Sequence, residues 1–420
     1  MASQIPEAHH VAENTFYVGC VDYNIRSFHG YETQFGTSYN AYAIVNVPHP
    51  TIIDSVKYPF AEEYIENIKK AIDLSEIKYA ISLHSEPDHS SSFPHLLRAA
   101  PHITLYCSRN GKKALEANYP EDFPNWNVVT YKDKDTLDLG DGHVLHFRLV
   151  PLLHWPDSSY CFDVKTKTLF SSDAFGQHRA HTARVDDAPG ALDWSYISRD
   201  TRAYWANILM PFGRQACKAL DSLATLPAGP SLVACAHGIN TRKYLGEHIE
   251  LYKRWANHIC VRPEVVILYD SMWKATEKVA EAIKEGVMLE GAEATIVNAR
   301  ETHITLIADH VLDAPCLAIG SSHLNGELLP PMGQALTYLK GLQPNWKRVG
   351  AAFGSYGWQS HAKKLNDSLV DSGVQSVVDP LVWAYKYTPE VLEKAREMGR
   401  ELGRHAHSRV AADLEKLKSL

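Results

Sequence analysis

No two cysteines of this chain stand in a C-x-x-C pair: Cys20, Cys107, Cys161, Cys217, Cys235, Cys260 and Cys316 are scattered along the sequence. That spacing excludes a zinc ribbon and a built-in rubredoxin-like module, both of which need paired thiolates, and it argues against a disulfide framework. A basic excess is missing too. The formal net charge is -7, so a general nucleic-acid binder, which carries a cationic face, is not expected. No apolar run is long enough to span a bilayer. Met1-Ala2-Ser3-Gln4-Ile5-Pro6-Glu7 has no basic stretch followed by an apolar one, so no secretory signal and no membrane partner are expected. A cytoplasmic protein with reduced, mostly buried thiols is the expectation.

What is present fits two globular domains. At about 150 residues per domain, 420 residues exceed one typical core. Residues 10–60 read as short antiparallel strands, among them Thr15-Phe16-Tyr17-Val18, Tyr42-Ala43-Ile44-Val45 and Thr51-Ile52-Ile53-Asp54. Tyr64, Ile65, Ile68 and Ile72 recur at helical spacing between Ala61 and Leu74. Ile259 to Pro263 is the expected boundary, because Val265-Val266-Ile267-Leu268-Tyr269 is a continuous apolar run of the buried parallel kind.

The first half concentrates metal-ligand chemistry at strand ends. Ile77 to Leu83 reads as a strand, and His84-Ser85-Glu86-Pro87-Asp88-His89 follows it at once. In an extended chain alternate side chains point the same way, so His84 and Glu86 reach one ion while Asp88, joined by His89, leads toward a second. Imidazoles and carboxylates without thiolate suit iron, manganese or zinc. Two ions need more ligands than four, and later strand ends supply candidates: His154 in Leu153-His154-Trp155-Pro156-Asp157-Ser158, Asp173 in Ser171-Ser172-Asp173-Ala174-Phe175, and His237 in Cys235-Ala236-His237-Gly238. A carboxylate has two oxygens and can join two ions, which makes Asp173 the expected bridge. A lone strand-end histidine is ordinary; four histidines and three carboxylates on successive strand ends are a constellation.

In the second half three loops follow apolar strands. Ser271-Met272-Trp273-Lys274-Ala275-Thr276 leads directly into a helical segment, offering hydroxyls and backbone N–H groups suited to a terminal phosphate. Ser321-Ser322-His323-Leu324-Asn325-Gly326 and Gly354-Ser355-Tyr356-Gly357-Trp358 end two further strands. In open parallel sheets ligands bind outside the carboxyl ends of the strands, where these loops would meet, and the glycines permit close approach to a flat ring. Pro389 to Leu420 has helical spacing and is expected to pack on the sheet.

The order H-x-E-x-D-H, then His in L-H-W-P-D-S, Asp in S-S-D-A-F-G-Q-H and His before Gly resembles the flavodiiron proteins, or A-type flavoproteins, over nearly the whole chain. The resemblance implies an α/β chain of two parts: an N-terminal αββα metallo-β-lactamase-like sandwich carrying diiron (residues 1–260), then a flavodoxin-like doubly wound parallel sheet binding FMN (residues 261–420). It implies His84, Glu86 and His154 on one iron, Asp88, His89 and His237 on the other, and Asp173 between them. The first loop would hold the FMN phosphate, and the other two would flank the isoalloxazine. Zinc hydrolases of the same fold have His where this chain has Glu86, and the extra carboxylate better compensates a higher oxidation state.

The resemblance further implies a terminal reductase that passes electrons from FMN to the irons and reduces dioxygen to water, nitric oxide to nitrous oxide, or both. The external donor would be rubredoxin, another reductase or a reduced deazaflavin. A head-to-tail homodimer, or a dimer of dimers, would set one subunit's FMN beside the other's irons. His178 and Tyr204 are candidates to supply a proton or hydrogen bond to a bound intermediate. Gly238-Ile239-Asn240-Thr241-Arg242 lacks the aromatic-then-Arg ending associated with many members. Competing readings are a binuclear zinc hydrolase fused to a flavodoxin-like domain, and a flavin electron carrier with an inert first domain.

Overall fold

Alternation of inward and outward side chains along the strands builds the first half of the computed structural model, which describes residues 9–343 and 348–419. One sheet has seven strands in the order His10–Ala12, Thr15–Tyr17, Tyr42–Ile44, Thr51–Ile53, Tyr79–Ser82, Thr104–Ser108, Asn127–Tyr131. The pairings are antiparallel up to Thr51–Ile53 and parallel beyond it. A second sheet of five runs Thr136–Gly140, His143–Leu149, Ser159–Asp163, Thr168–Ser172, Leu232–Cys235. Ile44, Ile53 and Ile81 from the first sheet meet Leu145, Phe147, Cys161 and Phe170 from the second in one buried cluster.

The outer face of the first sheet carries Ala43, Ile52, Ala80 and Leu105, which pack against Tyr64 and Ile68 of the helix Ala61–Ala71 and Phe93, Leu96 and Leu97 of the helix Phe93–Ala99. On the outer face of the second, Tyr160 and Leu169 line an apolar space with Ala216, Ala219 and Leu223 of the helix Gly213–Leu223. The layers are therefore helix, sheet, sheet, helix.

The second half places its strands in the order Glu293–Asn298, Glu264–Asp270, Cys316–Ser321, Val349–Tyr356, Gln375–Ser376, with Leu381–Ala384 also paired to Val349–Tyr356. All of these pairings are parallel. Numbered along the chain, that is the 2-1-3-4-5 order of flavodoxin-like sheets. Every residue of Glu264–Asp270 is buried because both faces are covered. Val265 and Ile267 pack under the helices Ala275–Leu289 and Pro389–Leu417, while Val266 and Leu268 pack under Ile304–Leu312 and Pro330–Leu342. The C-terminal helix thus lies on the sheet. Its backbone touches that of Ala275–Leu289: a Cβ on Gly399 would overlap the Ile283 carbonyl, and one on Gly286 the Arg396 carbonyl.

By contacts the chain divides into two units, residues 1–204 with 214–252 and residues 205–213 with 253–420. Local boundaries differ from the sequence pattern in one place that matters. The ligand-rich segment is not extended throughout, since Pro87–Ser90 forms a helical turn with proline at its start. Asp88 and His89 leave from that turn, whereas His84 and Glu86 leave from the extended stretch before it. Proline is well suited to the first helical position, where its missing N–H costs nothing.

Candidate metal centre and flavin loops

The strand Tyr79–Ser82 runs into the loop of His84 and Glu86, and three other chain segments bring residues to the same place. His84, Glu86, His154 and Asp173 form one group, and Asp88, His89 and His237 form another; in each, the potential ligand atoms lie within 4.8 Å of one another. Asp173 stands between them. Its Oδ2 is 3.0 Å from His154 Nε2 and 3.4 Å from His84 Nε2, while its Oδ1 is 3.0 Å from His89 Nε2 and 3.4 Å from His237 Nε2. His84 Nε2 is also 3.1 Å from Glu86 Oε2, and His89 and His237 Nε2 are each 3.2 Å from Asp88 Oδ2.

These separations have a simple reading. Neighbouring ligands around an ion bound at about 2.1 Å lie roughly 3.0–3.4 Å apart. Asp88 Oδ1 and both nitrogens of His89 are buried without a hydrogen-bond partner among the described residues, although His89 Nε2 lies close to two carboxylates. Buried atoms left unpartnered in so tight a group of polar atoms fit a shared central ion. Charge supports the fit. Burial opposes a charge on His84, but Asp157, Glu86 and Asp173 outweigh it and raise its pKa well above the imidazole range. His89, equally buried, is raised to about 9 by Asp88 and Asp173. The carboxylates demand positive charge, which metal cations held by the cluster would supply.

Neighbouring residues aim the imidazoles. His84 Nδ1 donates to Asp157 Oδ1 at 3.2 Å, and Asp157 Oδ2 also accepts from the Ser85 N–H at 2.7 Å and the Ser85 hydroxyl at 2.6 Å. His237 Nδ1 donates to the Ser38 carbonyl at 2.7 Å. In both rings the proton is held on Nδ1, so the Nε2 lone pair faces the cluster. Gly238, directly after His237, has a φ of +82°, and a Cβ there would overlap the Gln177 amide. Its N–H donates to Ser38 Oγ at 2.7 Å, locking the same loop.

Tyr204, at the end of the helix Trp194–Tyr204, donates its hydroxyl to Asp173 Oδ1 at 3.1 Å. Burial first, then the Asp173 carboxylate, raise its pKa well above that of an ordinary phenol. His178 packs its ring 5.0 Å from those of both His237 and Tyr204. Its Nδ1 is 2.9 Å from Thr37 Oγ1, and its Nε2 is buried without a hydrogen-bond partner among the described residues. Burial, reinforced by His237, holds it well below the usual imidazole pKa, so it is neutral.

Sequence pattern offered no signal for Asp157, Ser38 or Thr37, whose partners lie far along the chain. Nor did it mark His29, at the tip of a hairpin pairing Ser27–Phe28 with Tyr31–Glu32, whose Nε2 is 3.7 Å from Glu86 Oε1.

In the second unit the three loops meet at the carboxyl edge of the sheet. Thr276 Oγ1 lies 3.1 Å from Ser322 Oγ, which lies 3.1 Å from Ser355 Oγ, so one chain of hydroxyls links all three. The helix Ala275–Leu289 starts after Lys274, which takes a left-handed φ of +61°. Ser271 Oγ is buried without a partner among the described residues. An unsatisfied hydroxyl before a helix N-terminus suits a phosphate. His323–Leu324 and Glu327–Leu328 form a small hairpin turned by Asn325 and Gly326, both at positive φ. A Cβ on Gly354 would overlap the Ser321 carbonyl. Tyr356 is half-buried, Met272 is exposed, and Trp273 and Trp358 are 89% and 91% exposed.

An αββα sandwich with two groups of potential metal ligands, followed in the chain by a flavodoxin-like sheet, defines the class. The family model for ODP-family β-lactamases matches residues 37–209, and the flavodoxin model matches residues 267–399. A nitric oxide reductase of Moorella thermoacetica is 34% identical over 398 residues, covering 93% of this chain and 97% of its own. Two solved structures are similar throughout. The flavodiiron protein of Giardia intestinalis has a TM-score of 0.92 at 34% identity, covering 96% of this chain and 98% of its own. Rubredoxin oxygen:oxidoreductase of Desulfovibrio gigas has a TM-score of 0.91 at 31% identity, covering 96% and 99%. The chain belongs to the flavodiiron protein family.

Proposed function

We propose that this protein is an oxidoreductase that takes electrons through FMN to a diiron site and there reduces dioxygen to water, nitric oxide to nitrous oxide, or both. The observation that carries the reading is the division of the Asp173 carboxylate, one oxygen toward each group of ligands. In this reading residues 1–260 carry the irons and residues 261–420 the FMN. His84, Glu86 and His154 hold one iron, Asp88, His89 and His237 the other, and Asp173 joins them. FMN lies among residues 271–276, 321–326 and 354–358, its phosphate on the first loop.

Bound together, the flavin and the iron pair supply electrons and a coordination site for a diatomic gas. Reduction of O2 takes four electrons and four protons to two waters; two NO take two of each to N2O and one water. The chain's own residues manage position and protons. Asp157 and Ser38 fix which nitrogen of His84 and His237 faces inward. Tyr204 keeps its proton on the phenolic oxygen beside Asp173, and neutral His178 keeps near His237 an Nε2 that has no hydrogen-bond partner among the described residues. Both are placed to hydrogen-bond a substrate oxygen.

A head-to-tail homodimer or a dimer of dimers is the assembly we infer, because Trp273 and Trp358, exposed on the loops proposed for the flavin, suit burial by a second copy. A rubredoxin-type donor, another reductase or a reduced deazaflavin would supply electrons. The site of action is proposed to be the cytoplasm; no helix among the described residues is long and apolar enough to cross a membrane.

The test is anaerobic reduction of the iron- and FMN-loaded protein followed by single mixing with O2 or with NO. Oxidation of the flavin within the turnover time by at least one gas, with water or N2O as product, is expected. Inertness toward both gases, together with metal-dependent hydrolysis of an ester or thioester, would replace the reading with a binuclear hydrolase.

A further inference from the structure

A carboxylate sits where an anion-binding loop would least tolerate one. Asp270 ends the strand Glu264–Asp270, is fully buried, and immediately precedes Ser271 of the loop assigned above to the FMN phosphate. Its Oδ1 accepts the Ser271 N–H at 2.8 Å, which turns that N–H away from any anion. The same carboxylate is gripped by one guanidinium: Arg300 Nε donates to Oδ1 and Arg300 Nη2 to Oδ2, each at 3.0 Å. Arg300 comes from the turn after the neighbouring strand Glu293–Asn298, its own N–H donating to Asn298 Oδ1 at 3.0 Å, and its side chain is half exposed.

We propose that Arg300 is a positioning residue for the flavin phosphate and acts through Asp270. The bidentate pair cancels the buried negative charge at the base of the loop while Asp270 pins the first turn of loop backbone. Ser271 Oγ, without a hydrogen-bond partner among the described residues, remains for the phosphate. A neutral ligand gains nothing from that cancellation. A phosphate, doubly charged near neutral pH, does, since unscreened like charges a few ångströms apart in a partly buried site repel strongly. The inference rests on reading this loop as the FMN phosphate site, and it assigns Arg300 the discrimination between phosphorylated and unphosphorylated flavin.

The experiment compares FMN and riboflavin binding to the full-length apoprotein by flavin fluorescence quenching, for the native chain, Arg300→Gln and the double variant Asp270→Asn/Arg300→Gln. Arg300→Gln is expected to weaken FMN on the order of tenfold while riboflavin changes by less than about twofold. The double variant, neutral at both positions, is expected to return FMN to within about threefold of native. Equal weakening of both flavins would reduce Arg300 to a structural support and overturn the proposal. So would an unchanged FMN affinity, or a double variant as weak as the single one, which would put Arg300 on the phosphate directly. A native chain that binds FMN no better than riboflavin would overturn the phosphate-site reading itself, an outcome distinct from these.

Discussion

Asp157 accepts the Nδ1 proton of His84 at 3.2 Å and two bonds from Ser85, so one buried carboxylate orients both an imidazole and the loop that carries it. Removing a carboxylate that aims a metal-bound histidine commonly costs about 10–100-fold in metal affinity. Asp157→Ala is expected to lose iron to a chelator at concentrations that spare the native chain, with FMN content unchanged. Asp157→Asn, which keeps one acceptor oxygen, should fall between the two. Iron and flavin assays on the same preparations check this.

His248 gives the first unit an acid limit. It is fully buried, with Thr201 and Thr241 hydroxyls 3.4 and 3.2 Å from its ring nitrogens, and burial lowers its pKa to about 3. Below the unfolded value of 6.5 the unfolded chain takes up a proton that the folded one refuses. Its contribution is therefore intact above pH 6.5 and is lost as pH falls toward 3, at up to about 1.4 kcal/mol per pH unit. Denaturant titrations at several pH values should show a shallower decline between pH 6.5 and 4 for His248→Gln than for the native chain.

Two glycine substitutions in the second unit should have opposite signs. Gly399→Ala drives a methyl group into the Ile283 carbonyl of the neighbouring helix, and overpacking of this kind costs about 1–3 kcal/mol. Gly333 lies within the helix Pro330–Leu342 with nothing within 4 Å of an added Cβ. Gly333→Ala should stabilise by about 0.5–1 kcal/mol through helix propensity. Thermal melts followed through the flavin would separate the two.

The candidate site was unevenly legible in the sequence, for physical reasons. His84, His154, Asp173 and His237 each follow a strand whose apolar pattern is strong, and position at a strand end is a local property. The strands before the loops proposed for the flavin were legible in the same way, since Val265 to Tyr269 and Cys316 to Ile319 read as buried parallel strands. Asp157 was not, although it stands three residues after His154, because its partner His84 is 73 positions away and no local period encodes that contact. The same holds for the Ser38 carbonyl, 199 positions from His237. Side-chain alternation predicts an extended chain through Asp88 and His89; Pro87 instead opens a helical turn. Hairpin tips such as His29 carry no periodicity, so its approach to Glu86 came only with the fold.

Anomalous diffraction at the iron absorption edge, from crystals of the iron-loaded protein, tests the central claim most directly. Two iron peaks are expected per chain, one on each side of Asp173, the first touching His84, Glu86 and His154 and the second touching Asp88, His89 and His237. A single peak, a pair that Asp173 does not join, or iron bound elsewhere would contradict it.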